Sequence, residues 1–200
     1  MLIVSPEFKC SNEMLTIVSM LSGDKFHLLP FILVDHHFDT VPNVWLRPNN
    51  KRREADAAKA LLTVPDGDHL TLLNVYNNYI QSDSFNSLLR RRLTLIDNFT
   101  DMYDKNWTWA NYLSARALAQ ADNVRAQLQR TMERFEVELV SMQDEKKLWQ
   151  SVRQALVCGF FMQVAHKEGE KGNYLTVKDN QVHFAASVRL LLLADHFVFV

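Results

Sequence analysis

The sequence predicts a mainly α chain that closes on the start of a small β unit, and three observations carry that prediction. Apolar residues recur at helical spacing in separate stretches: Met14, Leu15, Val18 and Leu21; Leu73, Tyr76 and Ile80; Val124, Leu128, Met132, Phe135 and Leu139. After the apolar run around Phe160, Phe161, Met162 and Val164, the pattern changes to alternation, with Leu175 and Val177 on one side and Tyr174, Thr176 and Lys178 on the other. No internal repeat or low-complexity tract points to a different architecture.

In order along the chain, Met1 to Val4 reads as the tail of a strand closed by Ser5-Pro6. Ser11 offers an N-cap for the first helix, and Glu13 complements the dipole of its first turn. Residues 23–40 lose the helical period and carry the pair His36-His37. A loop at Val41 to Val44 follows. A helix then begins near Lys51-Arg52-Arg53-Glu54, rich in small residues (Ala55, Ala57, Ala58, Ala60) and stopped by Pro65-Asp66-Gly67. Asp68 is expected to cap the next helix. Residues 82–101 form a second irregular block containing Arg90-Arg91-Arg92. A short helix is expected from Trp107 to Tyr112, a longer one from about Asp122 through Leu139, and a last one from Asp144 to Val164. Lys167 to Lys171 reads as a loop, the strand follows near Tyr174, and Asp179-Asn180 turns the chain after it.

Composition narrows the function classes. The chain has 200 residues, 48% of them hydrophobic, enough for a buried core. With 22 Lys+Arg against 23 Asp+Glu, bulk charge does not announce a nucleic-acid binder, although a local patch can still track phosphates. Cys10 and Cys158 are far apart and in no metal-ligand spacing, which suits a reduced, intracellular protein. No secretory signal opens the chain, and the apolar run from Leu190 to Val200 is short and interrupted by Asp195 and His196. A soluble chain with no membrane association is expected.

The search for catalytic chemistry finds no convincing active site. A phosphate-cradling loop needs clustered glycines followed by Lys and Ser/Thr; Gly169-Glu170-Lys171-Gly172 lacks that spacing and reads as a solvated turn. Adjacent histidines such as His36-His37 point in different directions, and no second ligand cluster joins them. His69 and His166 have no nucleophile paired with them in sequence, and no serine sits in a G-x-S-x-G elbow. Asp144-Glu145 suits a helix N-terminus better than an acid–base pair. Lys51-Arg52-Arg53 reads as a solvated helix face more readily than as a phosphate site.

Three segments carry a resemblance: SPEFKCSNEMLTIVSMLS (Ser5–Ser22), VPDGDHLTLLNVYNNY (Val64–Tyr79) and ALVCGFFMQVAHKEG…YLTVKDNQ (Ala155–Gln181), supported by ADNVR at Ala121–Arg125. Together they resemble the C-terminal half of DEAH-box RNA helicases, most of all the nuclear pre-mRNA-splicing members that disassemble the intron-lariat spliceosome and serve ribosome assembly. The resemblance implies that residues 1–22 are the end of a winged-helix domain. It implies that residues 41–165 are the helical ratchet-like (helicase-associated) domain, and that residues 166–181 start an OB-fold left incomplete. In that family these domains wall the RNA tunnel, while upstream motor domains hold ATP and magnesium. No cofactor is expected in this chain itself. Its partners would be RNA, the motor domains, glycine-patch proteins and the spliceosome, in the nucleus. Grip on RNA would come from backbone contacts, stacking and charge, with Arg116, Arg125, Arg153, Lys178 and Asn180 as the candidate RNA-binding residues. For each, a salt-bridging or turn role is an equal alternative. The phosphate loop, the DEAH box and the arginine motif do not occur here, so no ATPase or helicase activity is expected from these residues alone.

Related sequences would run Leu21-Ser22 directly into Val41-Pro42, and Gln81 almost directly into Met102-Tyr103. Ser22-Gly23-Asp24 can be encoded with a G followed by GTGA, and Asp39-Thr40-Val41 with ACAG before a T, so that joining restores a valine codon. Gln81-Ser82-Asp83 and Thr100-Asp101 allow the same boundaries in the same phase, and joining there restores asparagine. Residues 23–40 and 82–101 therefore read as short translated introns, or else as surface insertions, which cost little in closure entropy. Residues 182–200 do not resemble the family. Phe184 to Val188 can be encoded so that an offset frame gives Leu-Gln-Pro-Pro, the mark of a frameshift that would leave a strand edge unpaired. Besides an RNA-contacting accessory region, two alternatives stand: a protein-interaction module docking glycine-patch cofactors, and a mis-assembled fragment with no independent function.

Overall fold

The computed structural model describes residues 1–22, 44–92, 107–161, 164–168, 173–176, 182–184, 191–194 and 197–199. Among them the chain forms α1 (Ser11–Ser22), α2 (Arg52–Leu62), α3 (Asp68–Arg92), α4 (Ala115–Arg134) and α5 (Glu145–Phe160). It continues with β1 (Val164–Glu168), β2 (Asn173–Thr176), β3 (Val182–Phe184), β4 (Leu191–Ala194) and β5 (Phe197–Phe199). The mainly helical class is as expected. The block at 23–40 and the residues Lys178 and Asn180 lie outside the described residues.

The chain divides into two compact units. The first comprises Met1–Ile17, Val64–Leu72 and Gln129–Val200. Its opening residues are consecutive turns rather than the expected strand tail. They close with the Lys9 N–H on the Pro6 carbonyl at 2.9 Å and the Cys10 N–H on the Ser5 carbonyl at 3.3 Å. Cys10, Met14, Leu15 and Ile17 are wholly buried, as are Val152 and Ala155 of α5. The α5 helix starts as expected, with the Asp144 carboxylate accepting the Lys147 N–H at 3.4 Å. It ends at Phe160, however, four residues short of the expected end, and Val164 opens β1. Gly159 weakens the last turn, and a Cβ there would meet the Met1 side chain at 1.7 Å. Beyond it, β1 gains backbone partners on both sides, an outcome of tertiary pairing that local periodicity does not encode.

The sheet is antiparallel throughout, in the order β3-β2-β1-β5-β4. In it His166 stands opposite Leu175, Lys167 opposite Tyr174, and Val164 opposite Phe199. The frameshift reading expected a strand edge left unpaired; residues 182–199 supply strands that cover the first two, and the outermost strands of the sheet are β3 and β4. β2 is flanked by β1 and β3, and β5 closes the other side of β1. Lys167 and Glu168 belong to β1 and not to a loop.

The second unit comprises Val18–Thr63 and Leu73–Leu128. Val75, Leu113 and Leu118 are buried to 1% exposure or less, and Tyr76, Ala121 and Val124 join them in the core. Residues 44–46 lie antiparallel to 112–114, with the Leu46 N–H on the Tyr112 carbonyl and the Ser114 N–H on the Val44 carbonyl, both at 2.8 Å. The expected helix from Trp107 to Tyr112 is a single turn at 107–110. The α3 helix does not stop at the second irregular block but runs on through Arg92. No glycine or proline lies between Ser82 and Asp101 to end it. Gly67 takes the cap position expected of Asp68, since its carbonyl accepts the Thr71 N–H at 3.0 Å, and Asp68 opens the first turn instead.

Candidate nucleic-acid interface

The α4 helix begins seven residues earlier than expected, because Ala115-Arg116-Ala117-Leu118-Ala119 is a strong helix former and Ser114 caps it. The Ser114 Oγ accepts the Ala117 N–H at 3.3 Å, and its carbonyl accepts the Leu118 N–H at 3.1 Å. Leu118, Ala121 and Val124 turn one stripe inward. The same 100° step sets Arg116, Gln120 and Asn123 on the outer side, with Arg116 and Asn123 exposed.

Arg125 is nine residues from Arg116, half a revolution round the helix, and is half-buried. There Tyr76 donates its hydroxyl proton to the Asp122 carboxylate at 2.7 Å. Burial and then this hydrogen bond push the Tyr76 hydroxyl up from its ordinary value, with Arg125 close enough to oppose the shift. Arg153 lies in the first unit, where its guanidinium pairs with Asp66 at 2.8 Å, both side chains about two-thirds buried. Of the five candidate RNA-binding residues, then, Arg116 is exposed, Arg125 is half-buried near Tyr76, Arg153 is paired with Asp66, and Lys178 and Asn180 fall outside the described residues.

Sequence reasoning missed Trp109, which is 73% exposed in the single turn before α4. Between it and Arg116 the chain reverses at Tyr112, whose φ of 53° is left-handed. Trp109 and Arg116 thus flank one tight turn, a flat π-face on one side and a planar cation on the other. Such a pair can stack on a base and hold a phosphate. An exposed tryptophan beside a helix start is the signal that could have found it.

Other candidates resolve into structural roles. Burial lowers the His69 imidazole to about 4, and its ring stands 6.0 Å from that of Phe160. Burial, and secondarily Glu13, pushes the Cys10 thiol up to about 12, which keeps it protonated and unreactive. In α2, Glu54 accepts the Tyr112 hydroxyl at 2.6 Å and Lys51 lies 3.6 Å from the same carboxylate, while Lys59 lies over the Trp45 ring. The basic start of this helix is thereby partly spent within the unit. Among the described residues no group of three or more His, Cys, Asp or Glu is placed to hold a metal ion. No helix among them is long and apolar enough to cross a membrane.

Residues 1–72 match the helicase associated domain (HA2), ratchet-like. The chain is 34% identical over 179 residues to the pre-mRNA-splicing factor ATP-dependent RNA helicase prp22 of Schizosaccharomyces pombe. It is 32% identical over 179 residues to the probable ATP-dependent RNA helicase DHX35 homolog of Caenorhabditis elegans. Each match covers 90% of this chain, which spans 12% of the length of the first relative and 19% of the second.

Proposed function

We propose, for a chain that belongs to the DEAH-box RNA helicases through its C-terminal, helicase-associated region, that it is the accessory region that grips single-stranded RNA beside the motor in pre-mRNA splicing. The observation that carries the reading is the pair Trp109 and Arg116, exposed on either side of the turn at Tyr112. Stacking tolerates any base and a guanidinium tolerates any phosphate, which suits a protein that must move along RNA without reading its sequence. In this reading residues 1–22 finish a winged helix, 41–165 form the ratchet-like domain, and the strands from about residue 166 open an OB-fold. Lys178 and Asn180 extend the grip there. Hydrolysis of ATP, with its magnesium, belongs to the motor domains of a longer protein acting in the nucleus with the spliceosome.

Fluorescence anisotropy with an unstructured RNA, repeated over a salt series, tests the proposal. Trp109→Ala is expected to weaken binding by about 1–3 kcal/mol at any salt. Arg116→Ala is expected to flatten the slope of log K against log salt by about 0.7, the share of one phosphate on a single strand. Absence of binding at low salt, or variants indistinguishable from the parent, would sink the reading.

A second reading rests on Val157 and Phe161, exposed four residues apart at the end of α5. They suit docking of an apolar partner segment, with glycine-patch proteins as the proposed class. An association that survives RNase and is lost in Phe161→Asp would favour it.

A further inference from the structure

We propose that Ser141 is a phosphoryl-acceptor site for an acidophilic protein serine/threonine kinase, and that its modification unlatches residues 138–141 from α1. After a turn at 135–136, residues 137–142 between α4 and α5 belong to no helix or strand, and Glu138 and Val140 bond to the start of α1. The wholly buried Ser11 clasps it: its hydroxyl donates to the Glu138 carbonyl at 2.7 Å and accepts the Val140 N–H at 2.6 Å. The Asn12 N–H completes the clasp on the Val140 carbonyl at 3.2 Å. One residue further, the Ser141 hydroxyl donates to Oε1 of Glu13.

Two features make this serine more than a latch. Ser141 is exposed, outside any helix, and followed by Asp144 and Glu145 at the third and fourth positions, with Glu138 exposed before it. Acidophilic kinases select substrates by such downstream carboxylates, which pair with basic residues beside the kinase cleft. The second feature is the environment of Glu13. The residue is 7% exposed, and among the described residues its Oε2 has no hydrogen-bond partner. Among them Ser141 supplies the one donor that this buried carboxylate receives, on Oε1.

In the modification, Ser141 Oγ forms a bond to the γ-phosphorus of ATP and the bond from that phosphorus to the ADP oxygen breaks. The hydroxyl proton passes to the kinase's base, and ADP leaves. The donor that held Glu13 is thereby replaced by an acceptor carrying roughly two negative charges. A buried carboxylate cannot face it, so the strap must move. The exposed Lys146 and Lys147 offer cations on the outward side. Lys147 is already paired with Asp144 at 3.5 Å.

The test treats the 200-residue chain with ATP and a kinase selective for an acidic third position. A single phosphoryl group is expected by intact mass, mapped to Ser141 by peptide fragmentation and lost in Ser141→Ala. Asp144→Asn keeps the helix cap but removes the charge, and should cut the rate of incorporation about tenfold. Ser11→Ala should raise that rate by opening the clasp. Hydrogen exchange at the Asn12 and Val140 amides should quicken about tenfold or more in the phosphorylated chain, in keeping with loss of a buried hydrogen-bonded contact. Incorporation elsewhere with Ser141 untouched overturns the site. Phosphorylation of Ser141 with unchanged exchange at both amides overturns the unlatching.

Discussion

Arg116 and Arg153 carry the same charge, and their surroundings assign them different work. Arg153 lies 2.8 Å from Asp66, a partner 87 residues away that no local pattern could reveal. Removing it should therefore register in stability and not in RNA affinity. Arg153→Ala is expected to cost about 1 kcal/mol, the upper end for an incompletely buried pair, while leaving the salt slope of RNA binding unchanged. Chemical denaturation and the salt series together check this, and a flattened slope in that variant would return Arg153 to the interface. His69 gives a second residue-scale prediction. Burial holds it at about 4, below its ordinary 6.5. Between those values the unfolded chain binds a proton that the folded chain refuses. Stability is thus fully present above pH 6.5 and declines as pH falls through the window, by on the order of 3 kcal/mol. His69→Phe should remove that part of the decline. Urea midpoints for both chains from pH 7 to pH 4 measure it, and parallel curves would refute the assignment.

At the scale of elements, three reversals share one device. Lys9, Tyr112 and Glu136 all have φ between 53° and 54°; the last two sit just past a helical stretch and Lys9 at the end of consecutive turns. At the end of α4, the Val137 N–H reaches the Met132 carbonyl at 2.9 Å and the Glu136 N–H reaches Glu133 at 3.1 Å. The same pair of bonds recurs around Tyr112 (Leu113 to Thr108, Tyr112 to Trp109) and around Lys9. This is the Schellman closure, normally built with glycine at the left-handed position. A side chain there costs about 1–2 kcal/mol, offset in part by the lower entropy of its unfolded chain. Glu136→Gly should accordingly raise the melting temperature by a few degrees, with the far-UV spectrum unchanged. A lowered melting temperature would show that the Glu136 side chain itself stabilises the turn. The missing glycines also explain what could be read in advance. The apolar stripe from Val124 to Met132 was legible, but its continuation to Phe135 and Leu139 was not interrupted by any breaker. Phe135 in fact lies outside the helix and is 71% exposed. β1 was hidden for the converse reason, since its pairing with residues 197–199 is tertiary and its own sequence reads as a helix end running into a charged loop. Arg116 was legible as a candidate from its chemistry, whereas Trp109 needed the fold to show its exposure.

For the whole molecule, the question is whether the chain needs the residues that interrupt its likeness to helicases. The second unit holds the flanks of one interruption close together, since the Tyr79 and Trp107 rings stand 6.5 Å apart. A chain joined from Gln81 to Met102 would leave seven residues between Tyr79 and Trp107, ample to connect rings that stand this close. Excising 82–101 shortens the connection between those rings about fourfold and should lower its closure cost by about 1 kcal/mol. Against this stands the last part of α3, which runs through Arg92 and would be lost. Among the described residues, the core side chains Val75, Tyr76, Leu113, Leu118 and Val124 lie outside the excised block. The expectation is that a chain joined from Gln81 to Met102 still unfolds cooperatively, at an equal or higher temperature, with Trp107 fluorescence as protected from quenchers as in the parent. Loss of the cooperative transition would show that residues 82–101 are structural. Sequencing the mature transcript across Ser22 and Gln81 then separates the two origins of a dispensable block. A message lacking both blocks identifies introns, and a message retaining them identifies insertions that the fold tolerates.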